Sequence, residues 1–240
     1  MSAGTDASAG SLLDVLGRTP LAWIPADGSN GAGYWAKLES AGIGGMKARA
    51  AVAMLAGAAA RGELDAGATI IESTSGTLGL GLAFAGRALG HPVTLVVDDE
   101  LEPDLRALFA AYGVTLEVVH QPDPHGGWQS ARLDRLHELL ATTPGAYWPD
   151  QYNNPDNPLG YVAMAHELLE QLEAADVLVA SVGSGGHCAG LTEVLRGHWP
   201  WLRVVGVDAV GSRIFGQPAR PRLMRGLGSS ILPRNVAYHH

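Results

Sequence analysis

Short runs of apolar, often β-branched residues alternate along the chain with longer Ala- and Leu-rich stretches whose apolar positions recur at helical spacing. The first pattern suits strands buried on both faces and the second suits helices that bury one stripe, so their alternation predicts an α/β protein with a largely parallel sheet. The predicted strands are 68–72, 92–97, 115–120, 176–182 and 203–208. The predicted helices are 47–61, 78–89, 102–112, 128–141, 158–172 and 187–198. Gly67, Gly90 with Pro92, and Gly113 fall where strands and helices must be joined by turns. The rhythm breaks in residues 144–158, PGAYWPDQYNNPDNP, where four prolines and three asparagines crowd into one loop. Such a stretch reads either as a crossing between two lobes or as a plain structural linker.

Composition narrows the function classes. At 240 residues with 47% hydrophobic content the chain can pack one large domain or two small lobes. Lys plus Arg is 16 against 24 Asp plus Glu, a net charge of −8 that gives no general attraction to nucleic acid or to anionic membranes. Cys188 is the single cysteine, so no intramolecular disulfide forms, and a reducing cytoplasm is the expected compartment. Residues 1–11 lack the basic start and apolar run of a signal peptide and read as a solvated leader; no window reaches membrane-spanning length. Only Lys37 and Lys47 are lysines in a chain that otherwise uses arginine for its cations. A lysine amine can lose its proton and attack a carbonyl, whereas a guanidinium stays charged, so these two positions draw attention to imine chemistry.

Three glycine-rich segments lie beside predicted helices. In residues 42–49, GIGGMKAR, glycines permit a tight bend and Lys47 opens a helical run; a solvent-facing lysine after a turn is the plain alternative. Residues 72–81, ESTSGTLGLG, follow a strand and bring hydroxyls and unpaired N–H groups to a helix N-terminus, where an anion such as a carboxylate is favoured and an ordinary N-cap is the simpler use. Residues 181–190, SVGSGGHCAG, set Gly183, Gly185 and Gly186 with Ser184 between a strand and a helix, a context suited to wrapping a phosphate. A dinucleotide fingerprint fits this segment only with wrong spacing and leaves Lys47 and the second segment unused. His137-Glu138 and His166-Glu167 lack the second histidine of a zinc-protease string, so no metal site is expected. Cys188 beside His187 reads as a buried structural thiol, because helix neighbours point apart.

Taken in order, these segments resemble the cysteine synthase and cystathionine β-synthase family of pyridoxal phosphate (PLP) enzymes, known as fold type II. The likeness runs from GRTPL at 17–21 to GLGSSILP at 226–233. GIGGMKAR is similar to the family's GGSVKDR string, which implies Lys47 as the Schiff-base lysine. TSGTLG at 74–79 is similar to the TSGNTG loop, implying Thr74, Ser75 and Gly76 at the substrate carboxylate and Thr77 at the cofactor ring oxygen. GSGGH resembles the GTGGT phosphate cup, implying Gly183, Ser184, Gly185, Gly186 and His187 as phosphate binders. QYNNPDNP resembles the QF-NPANP segment, implying Gln151 at the carboxylate, and GLGSSI resembles the GIGAGF loop that begins at Gly226. Gly45, Ala48, Thr77, Leu78 and His187 depart from the family's Ser, Asp, Asn, Thr and Thr, which marks a divergent branch.

The resemblance implies two lobes with largely parallel twisted sheets flanked by helices. Residues 11–35 with 151–240 form the large lobe that holds the cofactor phosphate, and residues 36–150 form the smaller substrate-closing lobe. Relatives continue for further strands, so the C-terminal part of the large lobe is expected to be missing from this chain. The implied partners are a small amino-acid substrate, a small nucleophile such as sulfide, and a second copy in a homodimer. The implied activity is PLP-dependent β-replacement on O-phospho- or O-acetyl-L-serine through an aminoacrylate. A β-elimination lyase or dehydratase and a non-catalytic binding paralogue are the alternatives. Arg225, next to Gly226, points toward the phosphate ester, since a guanidinium fork matches a doubly charged leaving group better than a neutral amide.

Overall fold

The protein was analysed as a computed structural model that describes residues 12–28, 31–74, 76–224 and 226–237. The leader read in residues 1–11, and the site positions Ser75 and Arg225, lie outside the described residues. After a 3₁₀ turn at Leu12–Val15 come β1 (Leu21–Pro25) and β2 (Gly33–Lys37), an antiparallel pair in which Trp23 lies opposite Trp35 with ring centroids 5.3 Å apart. These two strands were not predicted. Each is only five residues long, and what defines the pair is a cross-strand aromatic contact that local periodicity does not carry.

The chain then alternates as its pattern predicts. α1 (Met46–Arg61), β3 (Ile70–Ser73), α2 (Thr77–Leu89), β4 (Val93–Asp98), α3 (Pro103–Ala111), β5 (Thr115–Val119) and α4 (Gly127–Thr142) build a parallel sheet in the order β3-β4-β5. Next come α5 (Asp156–Leu159), α6 (Val162–Gln171), β6 (Val177–Ser181), α7 (Gly186–His198), β7 (Arg203–Val207) and α8 (Arg234–Ala237), with β6 and β7 parallel. The expected parallel sheet is therefore realised, among the described residues, as two separate parallel sheets and one antiparallel hairpin. The single helix predicted over 158–172 is two helices. A Cβ at Gly160, between them, would lie 2.6 Å from the Arg49 carbonyl oxygen, so the break lets backbone press against α1 where no side chain fits.

The proline-rich stretch is more than a linker. The Ile71 amide donates to the Tyr147 carbonyl and the Tyr147 amide to the Thr69 carbonyl, both at 2.9 Å, so this segment pairs with the edge of β3. Side chains alternate across β3. Ile70 joins Leu95, Val97, Met54, Leu55 and Leu82 in the main core, while Ile71 packs with Val96 and Leu136 on the opposite face. Burying each such side chain contributes roughly 1.5–3 kcal/mol.

Lys37 also finds its explanation in this frame. Its ammonium donates to the Thr19 carbonyl at 2.8 Å and Gln171 Oε1 at 3.0 Å and pairs with Glu167 at 2.6 Å, three acceptors for three donors. Glu167 also takes Arg49 at 2.7 Å, and Arg49 takes Glu39 at 2.8 Å. This buried ionic cluster ties β2, α1 and α6 together. Among the described residues no helix is long and apolar enough to cross a membrane.

Candidate active site

In open α/β sheets, loops beyond the carboxyl ends of parallel strands are where ligands bind. Here the ends of β3 and β6 meet at one cleft of about 600 Å³. Lys47, Thr74, Gln151, Gly183, Ser184 and Gly226 all line it, so six positions singled out from sequence converge.

Lys47 is the second residue of α1. Gly44 (φ 71°) and Gly45 (φ 65°) precede the helix in the left-handed region, a turn that only glycine makes without strain. Lys47 keeps part of its surface open to the cleft, yet enough protein surrounds the amine that desolvation lowers its pKa, with the charge of Glu72 opposing the shift. A lowered pKa leaves more of the amine unprotonated and able to attack a carbonyl.

Thr74 is buried just past β3, and its hydroxyl accepts from the Gly76 amide at 3.1 Å, closing the loop that leads into α2. Gln151 is held from several directions. Its amide nitrogen donates to Glu72 Oε2 at 3.3 Å and its side chain to the Ser73 carbonyl at 3.4 Å. Its carbonyl accepts from Asn157 Nδ2 at 2.6 Å and Asn235 Nδ2 at 3.1 Å. Gly76 and Thr77 stand away from the cleft lining, with Thr77 exposed at the start of α2.

The glycine cup at the end of β6 forms as the sequence pattern requires. Gly185 is left-handed (φ 83°) and precedes α7 with no side chain capping the helix N-terminus. A Cβ on Gly186 would fall 1.9 Å from Asn157 Oδ1, and one on Gly185 would fall 2.4 Å from Val236 Cγ2. The glycines thus let this loop pack against Asn157 and Val236 at the end of α7 where the helix dipole is positive, a context that suits a phosphate. Together with the desolvated lysine amine, this cradle matches the two ends of PLP, its aldehyde and its phosphate.

His187 follows the cup at the start of α7. Its ring packs edge-on against Tyr161, with centroids 5.8 Å apart, and is bonded to the Ser181 backbone. Burial, then the charge of Lys47, pushes its pKa down to about 4. The imidazole is therefore neutral near pH 7, at the second position of α7, and adds no cation to the cup. Burial pushes the Cys188 thiol up, in keeping with a structural role.

Sequence reasoning missed several residues around the cleft. Arg132, on α4, is buried against Asp98 in an ion pair, and its Nε has no hydrogen-bond partner. Tyr152 is half-buried, and desolvation raises its pKa, so its phenol stays a donor. Gln129 receives the Ser230 amide at 2.9 Å, fastening α4 to the 226–231 loop, and Arg222 reaches Ser230 Oγ at 3.1 Å. Arg213 and Arg220 complete an arginine-rich wall.

Residues 12–240 match the family model described as pyridoxal-phosphate dependent enzyme. The N-(2-amino-2-carboxyethyl)-L-glutamate synthase of Ralstonia nicotianae is 38% identical over 228 residues, covering 93% of this chain and 67% of that protein. Among solved structures, the O-acetylserine dependent cystathionine beta-synthase from Helicobacter pylori is 28% identical with a TM-score of 0.86, covering 97% of this chain and 77% of that one. A hydrogen sulfide-producing enzyme from Fusobacterium nucleatum is likewise 28% identical, with a TM-score of 0.87 over 95% of this chain and 77% of that one. The folds therefore agree over nearly the whole chain, parallel sheets and flanking helices included. With the desolvated lysine, the capless glycine cup and these likenesses together, the chain belongs to the family of pyridoxal-phosphate dependent enzymes, is of the cysteine synthase type and takes pyridoxal phosphate as its cofactor.

Proposed function

We propose that Lys47 holds the cofactor covalently and that the enzyme replaces the β-substituent of a serine-derived amino acid, with O-phospho-L-serine as donor and the amino group of L-glutamate as nucleophile. The observation that carries this reading is the presence in one cleft of a desolvated lysine amine and the buried Arg132 guanidinium, whose Nε is unpartnered. Asp98 balances the Arg132 charge, but a buried N–H without an acceptor is costly, and an anionic group on the substrate supplies one. Arg213, Arg220 and Arg222 supply further cations for a leaving phosphate and for the two carboxylates of glutamate. The name of the Ralstonia relative describes a glutamate carrying a 2-amino-2-carboxyethyl group, the product such a replacement gives. In that replacement the Cβ–O bond breaks, a Cβ–N bond forms, phosphate leaves and the attacking amine gives up a proton.

When bound, PLP supplies an electron-withdrawing ring that acidifies the α-proton of the amino acid attached to it. Lys47 holds the cofactor and moves the proton at the substrate α-carbon. Thr74, with Ser75 next to it in sequence, and Gln151 hold the α-carboxylate. The N–H groups of the 183–186 cup hold the cofactor phosphate, and Tyr152 offers a hydroxyl donor. In the same reading the two lobes, residues 36–150 against 11–35 with 151–240, form opposite walls: residues 122–129 and Arg132 on one side, Gly183, Ser184, Arg213, residues 219–222 and residues 226–228 on the other.

Steady-state kinetics with O-phospho-L-serine and O-acetyl-L-serine, each with L-glutamate or sulfide, test the proposal. The phosphate ester with glutamate is expected to be the fastest pair, yielding a product with the mass of N-(2-amino-2-carboxyethyl)-L-glutamate. Arg222→Gln removes a charge-assisted contact, so kcat/KM for phosphoserine should fall roughly 10- to 100-fold while acetylserine is little affected. Faster turnover of acetylserine by the unaltered enzyme would reject the phosphoserine assignment. Use of sulfide but not glutamate would reject the nucleophile.

A further inference from the structure

Glu72 is the one acidic residue of β3, and it is 1% exposed. A strand alternates its side chains, so Glu72 projects to the same sheet face as Ile70 and pairs in register with Leu95. That face is covered by α1 and α2, whose Met54, Leu55, Leu78 and Leu82 make up the main core. A carboxylate in such a place is costly unless its oxygens are bonded and its charge opposed.

Its oxygens are bonded by three N–H donors. The Ser73 amide donates to Oε1 at 2.8 Å, the Trp148 indole to Oε1 at 3.1 Å and the Gln151 amide to Oε2 at 3.3 Å. These donors come from two segments. Ser73 leads into Thr74, while Trp148 and Gln151 belong to the stretch that pairs with the edge of β3. One buried carboxylate therefore joins the two backbones that present Thr74 and Gln151 to the cleft. No cation is hydrogen-bonded to it among the described residues; Lys47, at the start of α1, lines the same cleft as Thr74 and Gln151, and the Glu72 charge acts to raise its pKa.

We propose that Glu72 is a positioning residue for the reaction: it clamps the Thr74 and Gln151 walls of the substrate-carboxylate subsite together and acts as the counter-charge to Lys47. The proposal rests on Lys47 being the reactive amine. A neutral amide would keep the two bonds that one oxygen accepts but would lose the third, because its NH2 faces an N–H donor, and it would supply no counter-charge. Desolvation pushes Glu72 up to about 7, so its charge changes in the same range in which a lysine must be deprotonated to react. The other titratable groups facing the pair are Asp150 and Tyr152, from the segment after Trp148, and His187, from α7.

The sign follows directly. The Glu72 charge favours the ammonium form of Lys47, so removing it lowers the Lys47 pKa. Because the full chain contains two lysines, the rate of Lys47 acetylation by acetic anhydride can be followed against pH by peptide mass spectrometry, with Lys37 as internal reference. This uses the PLP-free full chain and no substrate, so it is independent of the donor and nucleophile proposed above, and borohydride mapping of Lys47 separately tests the assignment it rests on. Glu72→Gln is expected to move the Lys47 midpoint to lower pH by about one unit, giving roughly tenfold faster labelling at a fixed pH below both midpoints, with Lys37 unchanged. Glu72→Asp, which keeps the charge, should restore a midpoint near that of the unaltered protein, and it carries the test if the glutamine variant does not fold. An unshifted midpoint in folded Glu72→Gln, or a midpoint in Glu72→Asp displaced by a full unit to lower pH, would overturn the counter-charge role.

Discussion

Lys47→Ala is expected to leave a folded protein whose turnover is lower by roughly 10²- to 10⁴-fold or more, since the variant loses a general acid–base group together with the covalent hold on the cofactor. The position tolerates the change structurally. Lys47 follows two left-handed glycines at the open end of α1 and keeps part of its surface toward the cleft, while its neighbours Ala48, Arg49 and Ala50 carry the buried contacts. Lys37→Ala should do the opposite, weakening the fold through Glu167 and leaving the chemistry of the remaining native protein near normal. Steady-state rates and far-UV circular dichroism on the two variants separate these effects. Comparable losses of turnover in both, or a Lys47→Ala protein of near-normal activity, would contradict the assignment.

Arg49→Met is expected to produce the largest loss of stability among single changes away from the cleft. Arg49 is 4% exposed and is shared between Glu39 and Glu167, so its removal leaves two carboxylates in the same enclosed cluster with only Lys37 to oppose them. Breaking a buried ion pair from one side costs about 3–5 kcal/mol, which for a chain of this size lowers Tm by roughly 6–20 °C. The pH dependence has a definite sign. Hydrogen bonds from Arg49 and then Lys37 outweigh desolvation and hold Glu167 down to about 2, below the ordinary carboxylate value. The stability from that depressed pKa is present above the unfolded carboxylate range and is lost as pH falls toward about 2. Thermal melts from pH 7 to pH 3 should show a steep acid limb in the unaltered protein and a shallower one in Arg49→Met. Equal slopes would mean that the cluster does not couple folding to protonation.

What was legible in the sequence is what local chemistry dictates. The five predicted strands appear within two residues of their expected ends because β-branched runs between glycine turns have few other uses. The cup at Gly183 to Gly186 was readable for a similar reason: strand, glycines and helix in succession bare a row of amides whatever ligand arrives. The hairpin of β1 and β2 was not readable, since Trp23 and Trp35 meet only once the chain has turned. Nothing local in ARLDRLHELL marks Arg132, and only the approach of α4 to Asp98 buries it beside the cleft. Nothing local marks Glu72 within its strand either. Its importance depends on Trp148 and Gln151, 76 and 79 residues further on, folding back onto it. The packing of His187 on Tyr161, where burial lowers its pKa, was likewise not readable, since the two residues lie 26 positions apart.

The central claim is that Lys47 is the residue that carries the cofactor. Incubating the full chain with PLP, reducing with borohydride and mapping the labelled peptide tests it most directly, because reduction fixes the cofactor to whichever amine holds it. The account predicts a phosphopyridoxyl group on the peptide containing Lys47 and none on that containing Lys37. Label on Lys37, or unlabelled Lys47 in a protein that shows bound cofactor by its absorption spectrum, would contradict it.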